Sequence, residues 1–187
     1  ISMSKTVGMV GLGIMGSAIS RNLTERGWRV IGFDTDAARR NEAAQAGVII
    51  AVDAAEVARE APVIMTSLPS PAAVMDVAGI IARSAPSPRI VVELSTLTIA
   101  DKLRFEAVLS KAGHIALDCP VSGTGAQARN RDLVVYASGG AAEIKRRRPM
   151  FAAFGRGGFD LGEFGNGSRM KYVANLLGVI HNVASAE

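Results

Sequence analysis

Short runs of apolar residues alternate along this chain with longer amphipathic stretches. The runs at 6–11, 28–34 and 62–68 are continuously apolar, which is typical of strands buried on both faces of a parallel sheet. Further strands are predicted at 48–50, 89–94, 114–118, 133–138 and 159–164. The segments between them have helical character, and Gly27 and Gly47 are natural C-terminal caps for the first two helices. This alternation predicts an α/β fold with a doubly wound, mostly parallel sheet.

In a parallel sheet of this kind, ligands bind beyond the carboxyl ends of the strands, so the loops that follow strands are the candidates for function. These loops are predicted at 11–16, 34–36, 68–73, 94–98 and 118–126. The last of them is expected to be a long polar loop. The chain closes with a long helix over 165–187 that is apolar on most of its surface.

Composition narrows the class of function. Of the 187 residues, 49% are hydrophobic and 20% are charged, as in an ordinary globular protein. The net charge of +4 suits a small anionic ligand, whereas an aromatic content of 5% argues against a nucleic-acid partner. No apolar run reaches the ~18 residues of a membrane span, so no membrane partner is expected. The lone Cys119 fits a reducing, cytoplasmic location, and His114 and His181 lack the spacing of a metal site.

A glycine-rich turn joins the first predicted strand to the first predicted helix, and it consists of Gly11, Leu12, Gly13, Ile14, Met15 and Gly16. In this strand–turn–helix context the pattern predicts a dinucleotide site. Gly11 permits the tight turn, Gly13 lets a pyrophosphate approach the backbone, and Gly16 lets the helix pack close to the strand. The helix N-terminus offers free amides and a partial positive charge to the phosphates.

Asp34 ends the second predicted strand, 18 residues after Gly16. A carboxylate at this point accepts hydrogen bonds from an adenosine ribose diol and repels a 2′-phosphate, so NAD is the predicted cofactor. Arg39 and Arg40 leave NADP possible, because these side chains either meet a 2′-phosphate or lie in solvent on a surface helix.

Four segments, in their order and spacing, resemble one family. They are VGLGIMGSAISRNL (10–23), SLPSPAAV (67–74), DCPVSGTGA (118–126) and GNGSRMKYVAN (165–175). The family is that of the β-hydroxyacid dehydrogenases, which includes 3-hydroxyisobutyrate dehydrogenase, tartronate semialdehyde reductase, L-threonate dehydrogenase and, more distantly, 6-phosphogluconate dehydrogenase. The resemblance implies a Rossmann-like NAD(P)-binding domain over 4–164. It also implies that 165–187 begins an interdomain helix, leading to an all-helical domain that this chain lacks.

The resemblance also implies roles for single residues. Those expected to contact the cofactor, besides the glycine turn and Asp34, are Leu68, Pro69, Ala73 and Thr96. Those expected to bind the substrate are Ser122, Gly123, Thr124 and Asn175. Lys171 is expected to be the catalytic acid/base. Thr124 replaces a glycine of the family pattern, and we expect it to re-tune the carboxylate loop because threonine avoids positive φ.

The chemistry of the closing helix supports these roles independently. Lys171 and Asn175 lie one turn apart within a largely apolar helix, where a charge needs a polar partner. Partial burial lowers the pKa of a lysine toward neutrality, which suits proton exchange with a hydroxyl. The predicted function is therefore NAD(P)-dependent interconversion of a small anionic 3-hydroxy acid and its semialdehyde or keto form. Arg129 and Arg131 either flank the substrate mouth or face water.

Two other functions stay open at this point. One is a non-catalytic dinucleotide-binding or scaffold protein on the same fold, since fold alone does not define activity. The other is an imine reductase, although the imine reductases that share this scaffold usually lack the lysine. The apolar surface of the closing helix predicts a homo-oligomer, either a dimer or a tetramer.

Overall fold

The computed structural model of this chain describes residues 5–184, and side chains as far as residue 181. Strands and helices alternate along most of its length, as the sequence predicted. In chain order they are β1 (Thr6–Val10), α1 (Ile14–Glu25), β2 (Arg29–Phe33), α2 (Ala37–Gln45), β3 (Ile49–Ile50), α3 (Ala54–Glu60), β4 (Val63–Thr66), α4 (Pro71–Ser84), β5 (Ile90–Glu93), α5 (Ile99–Lys111), β6 (Ile115–Asp118), β7 (Val121–Ser122), α6 (Gly125–Arg129), β8 (Leu133–Ala137), α7 (Ala141–Phe154), β9 (Gly155–Asp160) and α8 (Asn166–Ala184).

The first six strands form one parallel sheet in the order β3-β2-β1-β4-β5-β6. Apolar clusters cover both faces, because each strand is apolar on both sides. Leu23 of α1 and Phe151 of α7 belong to the cluster on one face. Val57 of α3 and Phe105 of α5 belong to the cluster on the other. The predicted doubly wound, Rossmann-like α/β fold is therefore confirmed.

The region after β6 is more ordered than the sequence predicted. The expected long polar loop contains the short strand β7 and the helix α6. β7 pairs antiparallel with β8, and β8 pairs parallel with β9, so these strands form a second, three-stranded sheet. An antiparallel bridge between Asp118 and Ser138 joins the end of β6 to the end of β8. The prediction missed β7 because it is two residues long and owes its existence to pairing with a distant strand.

The last predicted strand, 159–164, was misplaced. The structure has β9 at Gly155–Asp160 instead. Its glycines read as loop residues in the sequence, yet here they allow close packing. A Cβ on Gly155 would lie 2.5 Å from the carbonyl oxygen of Leu133, and one on Gly158 would lie 2.6 Å from the Phe151 ring. The predicted strand end is a turn, with Gly165 at φ 94° just before α8.

Helix α8 presents a row of exposed apolar side chains over its described length, namely Met170, Val173, Leu176, Leu177, Val179 and Ile180. Its start at Asn166 lies next to the predicted division between 4–164 and 165–187, and that division stays a prediction. The homo-oligomer expected from this surface also stays a prediction. Within residues 5–184, none of the helices is long and apolar enough to cross a membrane.

Candidate active site

The glycine turn after β1 uses its three glycines in two different ways. Gly11 has φ 96°, and a Cβ there would lie 2.1 Å from the carbonyl oxygen of Ser67. A Cβ on Gly16 would lie 1.9 Å from the carbonyl oxygen of Gly11. The fold itself thus requires these two glycines. Gly13 is different, because the nearest atom to its Cβ position is Arg39 Nη1, at 3.7 Å.

Gly13 is also the N-cap of α1, and no side chain in the described part of the chain caps this helix end. The space over Gly13 and the uncapped helix N-terminus together fit a phosphate of a dinucleotide, which accepts hydrogen bonds from such amides. Of the other turn residues, Leu12 is buried, Met15 packs against the core, and Ile14 is 72% exposed.

Asp34 lies at the end of β2 and is nearly buried. Its carboxylate accepts hydrogen bonds from the backbone N–H of Leu12 at 2.7 Å and of Asp36 at 2.9 Å. This fixes the carboxylate beside the glycine turn, where a ribose diol would lie in a dinucleotide site.

The two arginines of α2 differ in their contacts. Arg39 Nη1 lies 3.6 Å from Asp34 Oδ2, so this half-exposed side chain pairs with the carboxylate. Arg40 donates to the carbonyl oxygen of Asp34 at 2.7 Å and lies over the Phe33 ring. Arg39 is therefore the arginine that bears on the choice between NAD and NADP.

A groove of about 720 Å³ extends from the glycine turn between α1 and α2. Arg129 of α6 lines it together with Arg21 and Arg39. Arg129 is thus on the cofactor side. Arg131, whose position carries a glycine in the family pattern, is half-buried and adopts φ 58°. This left-handed conformation is uncommon for a residue other than glycine.

The loops after β4 and β5 meet at the carboxyl edge of the main sheet. The backbone N–H of Leu68 donates to Ser95 Oγ at 2.9 Å, which joins the two loops. Pro69 and Thr96 line a shallow groove of about 540 Å³ beside α8. Ala73 lies in the first turn of α4, where its N–H donates to the N-cap Ser70. These predicted cofactor residues therefore share one edge of the sheet with the glycine turn.

Lys171 and Ser122 come together although they are 49 residues apart in the chain. Lys171 Nζ donates to Ser122 Oγ at 3.3 Å. Burial lowers the pKa of Lys171, as the sequence reasoning expected. Among the ion pairs of the described residues, none includes Lys171. In the described part of the chain, no carboxylate therefore stabilises the protonated form of Lys171.

The remaining predicted substrate residues flank this pair. Gly123 has φ 142°, and a Cβ there would lie 2.7 Å from the Leu133 side chain. Thr124 has φ −87° and caps α6 in a capping box with Gln127, so it needs no positive φ. Asn175 lies one turn after Lys171 on α8 and is exposed. Thr124 thus fixes the loop that Ser122 and Gly123 begin.

Sequence reasoning missed a buried ionic cluster, which consists of Glu93, Lys102 and Asp118. All three side chains are fully buried. Lys102 Nζ contacts Glu93 Oε2 and lies 2.9 Å from Asp118 Oδ1. Burial raises the pKa of Glu93. Burial acts to lower the pKa of Lys102, but the two carboxylates outweigh it and raise that pKa. The available signal was the acidic residue at the end of each apolar strand, β5 and β6.

One further group in the described part of the chain, the thiol of Cys119, bears on the chemistry, and so does the arrangement of the residue types that bind metals. Cys119 is fully buried next to the ionic cluster, and burial raises the pKa of its thiol, so it is a poor nucleophile. Among residues 5–184, His, Cys, Asp and Glu side chains form no group of three or more that could hold a metal ion.

The fold and the glycine turn define a dinucleotide-binding domain of the Rossmann type. Residues 6–170 match the family described as the NAD binding domain of 6-phosphogluconate dehydrogenase. The chain belongs to this family, and a nicotinamide dinucleotide is the cofactor class that the family and the turn geometry support.

Individual relatives are dehydrogenases and reductases by name. The chain is 30% identical to glyoxylate/succinic semialdehyde reductase 1 of Arabidopsis thaliana, over 91% of this chain and 60% of the relative. It is 33% identical to the probable mitochondrial 3-hydroxyisobutyrate dehydrogenase of Dictyostelium discoideum, over 100% of this chain and 59% of the relative.

A solved structure agrees with these sequence relatives. That of Mycobacterium tuberculosis 3-hydroxyisobutyrate dehydrogenase with L-serine superposes with a TM-score of 0.93 at 28% identity, over 97% of this chain and 62% of that one. The chain thus spans about three fifths of the length of these relatives. One relative is named as mitochondrial, so the cytoplasmic location expected for this chain stays a prediction.

Proposed function

We propose that this chain is the cofactor-binding part of an NAD(P)-dependent enzyme that interconverts a small 3-hydroxy acid and its semialdehyde or keto form. The observation that carries the proposal is the 3.3 Å contact between Lys171 Nζ and Ser122 Oγ. It brings a lysine of lowered pKa beside a hydroxyl and the glycine-containing loop. That loop leads to Gly125, where a Cβ would lie 2.9 Å from the Ile14 side chain of the glycine turn. An acid/base group, an anion-binding loop and a cofactor site are what such a reaction needs.

The cofactor would lie along the carboxyl edge of the main sheet. Its phosphates would meet the amides of the turn around Gly13, and its ribose would meet Asp34. The residues proposed to contact the rest of it are Leu68, Pro69, Ala73 and Thr96. A bound nicotinamide ring supplies or accepts the hydride. The chain's own residues bind and orient it.

Lys171 is the proposed acid/base. In the oxidation direction its neutral amine takes the alcohol proton, and in the reduction direction its ammonium returns a proton to the carbonyl oxygen. A lowered pKa raises the fraction of neutral amine at physiological pH, so both forms are accessible. Ser122, Gly123 and the loop capped by Thr124 would hold the substrate carboxylate, and Asn175 would contact the substrate one turn further along α8.

NAD is the proposed preference over NADP. The Asp34 carboxylate is held in place by two backbone amides, so a 2′-phosphate would meet a fixed negative charge. Arg39 opposes this preference, because its guanidinium already lies beside Asp34 and could turn toward a phosphate. Assays with both cofactors decide between these two effects.

The test is hydride transfer by the intact protein with NAD and NADP. The panel contains L-threonate, D-glycerate, 3-hydroxyisobutyrate, 4-hydroxybutyrate and 6-phosphogluconate, with glyoxylate and succinic semialdehyde for the reverse direction. Lys171→Met should lower kcat by roughly 10²- to 10⁴-fold, because it removes the acid/base group, while the Kd for NADH stays within about twofold. Lys145→Met, at an exposed position on α7, is the matched control.

Turnover of Lys171→Met near that of the wild type would refute the assignment of Lys171. Dinucleotide binding without turnover of any hydroxy acid or aldehyde would refute the dehydrogenase and favour a scaffold. Turnover of cyclic imines in their place would favour an imine reductase.

A further inference from the structure

The first turn of α8 is held by side chains from the main and the second sheet. The N–H of Ser168 donates to Asp118 Oδ2 at 2.8 Å, and the Ser168 hydroxyl donates to Asp118 Oδ1 at 2.8 Å. The N–H of Gly167 donates to Ser138 Oγ at 2.9 Å. Two amides that a helix N-terminus leaves without intrahelical partners are thus satisfied from β6 and from the end of β8. Asp118 acts as an N-cap supplied from another part of the fold.

The charge of Asp118 is stabilised from both sides. On one side is the ammonium of Lys102, at 2.9 Å. On the other is the N-terminus of α8, whose partial positive charge favours an anion. Glu93 shares the same lysine, but burial disfavours its ionised form. The geometry of Asp118 is fixed because both of its carboxylate oxygens are used, Oδ1 by Lys102 and the Ser168 hydroxyl and Oδ2 by the N–H of Ser168.

The contact leaves little freedom for α8 to shift. A Cβ on Gly167 would lie 2.2 Å from the carbonyl oxygen of Tyr136 and 2.7 Å from that of Asp118. The start of α8 thus packs directly against the backbone of β8, which contains Tyr136, and of β6, which contains Asp118. One turn after Ser168, the hydroxyl of Tyr172 donates to the carbonyl oxygen of Leu97, in the loop after β5. The Gly167 contact lies four residues before Lys171, and the Tyr172 contact lies one residue after it.

We infer that Asp118 and Ser168 are positioning residues, which set the place of Lys171 Nζ against Ser122 and the cofactor edge. Ser168 lies three residues before Lys171 on the same helix. If the loss of its hydrogen bonds to Asp118 displaces the start of α8, the Lys171 side chain moves by a similar distance. The effect of such a shift on rate is large, because a displacement of about 1 Å at a reacting group costs up to 10²-fold. The catalytic part of this inference rests on the proposed function, whereas the geometric part does not.

The test is Ser168→Ala in the intact protein, since it removes one hydrogen bond without adding bulk or charge. We expect kcat to fall about tenfold while the Kd for NADH stays within about twofold. We also expect the pKa of Lys171, followed by NMR of labelled lysine side chains and assigned by its loss in Lys171→Met, to rise toward the ordinary lysine value as the helix start loosens.

Asp53→Ala is the matched control. Asp53 caps the N-terminus of α3 by accepting from the N–H of Glu56 at 2.7 Å, so its loss removes a helix cap elsewhere. We expect a lower Tm, with kcat and the pKa of Lys171 unchanged. A purely structural role for Ser168 would give the same result as this control.

Unchanged kcat and an unchanged pKa of Lys171 in Ser168→Ala would overturn the inference. If the wild type turns over none of the substrates, the proposed function fails. The inference is then judged by the pKa of Lys171 alone: a rise in Ser168→Ala supports positioning, and no change refutes it.

Discussion

Two lysines of this protein lie in contrasting surroundings. Lys102 is fully buried and contacts two carboxylates, those of Glu93 and Asp118. Lys171 is half-buried at the carboxyl edge of the sheet and donates to the Ser122 hydroxyl. The pKa of Lys102 is raised, because its two carboxylates outweigh burial, and the pKa of Lys171 is lowered by burial.

The difference shows how the same type of side chain serves two purposes in two different environments. Counter-charges keep the proton on Lys102, so this residue acts as a fixed cation in the core. Among the described residues no carboxylate is in ion-pair contact with Lys171, so burial alone destabilises its charged form and its proton is easier to remove. The buried cluster therefore bears on stability and on the place of α8, whereas Lys171 bears on chemistry.

The largest expected effect is on stability, from Lys102→Met. Methionine fills a similar volume but leaves two buried carboxylates without a cation, which costs about 3–5 kcal/mol in the free energy of unfolding. Urea denaturation measures this loss in the free energy of unfolding. Lys171→Met is the comparison, and we expect its free energy of unfolding to stay within about 1 kcal/mol of the wild type. A loss below about 1 kcal/mol in Lys102→Met would mean that the cluster is not held by its charges.

Glu93→Gln sharpens the comparison by asking which carboxylate neutralises Lys102. Burial already disfavours the ionised form of Glu93, and glutamine keeps an acceptor for the N–H of Ser95. We expect a loss of about 1 kcal/mol or less, whereas Asp118→Asn should cost about 2–3 kcal/mol, because it also weakens the charged cap of α8. Thermal and urea unfolding of both variants give the comparison, and equal losses would show that the contacts of Asp118 with α8 add nothing to stability beyond its contact with Lys102.

The candidate active site and the buried ionic cluster also differ in how far the sequence could predict them. The glycine turn is largely a local feature: Gly16 meets the carbonyl oxygen of Gly11 within the turn, and Gly11 adopts φ 96°, so their spacing alone indicates the structure, although Gly11 also meets Ser67 after β4. Asp34 follows from the same unit, because β1 and β2 are neighbouring strands. The family resemblance implied separate roles for Lys171 and Ser122 in one site, and the structure adds the contact between them.

The ionic cluster could not be predicted in this way. Its members come from the consecutive elements β5, α5 and β6, in which Glu93 and Asp118 are paired in register, but no local pattern indicates that Lys102 of α5 points into the core between them. In the sequence Lys102 is an ordinary helix lysine, a residue type that usually lies in solvent. β9 was misplaced because the close packing of Gly155 depends on Leu133 in β8, from which it is separated by the whole of α7.

The smallest expected effect is a pH dependence of opposite sign for the two lysines. Between its lowered folded pKa and the unfolded value of about 10.4, Lys171 binds more protons when unfolded, so its contribution to stability rises with pH. Lys102 has a raised folded pKa, so its contribution is complete below about 10.4 and is lost as pH rises through the folded value.

The free energy of unfolding of the wild type minus that of Lys171→Met isolates the first of these contributions. Measured by urea denaturation from neutral to alkaline pH, this difference should increase with pH. Lys145→Met provides the baseline for removing one positive charge from the surface. A difference that stays level with this baseline would show that the Lys171 ammonium is as well solvated in the folded protein as in the unfolded chain. The contrast with Lys102 would then rest on the carboxylates alone, and Lys171 would lose the physical basis for its proposed role as a base near neutral pH.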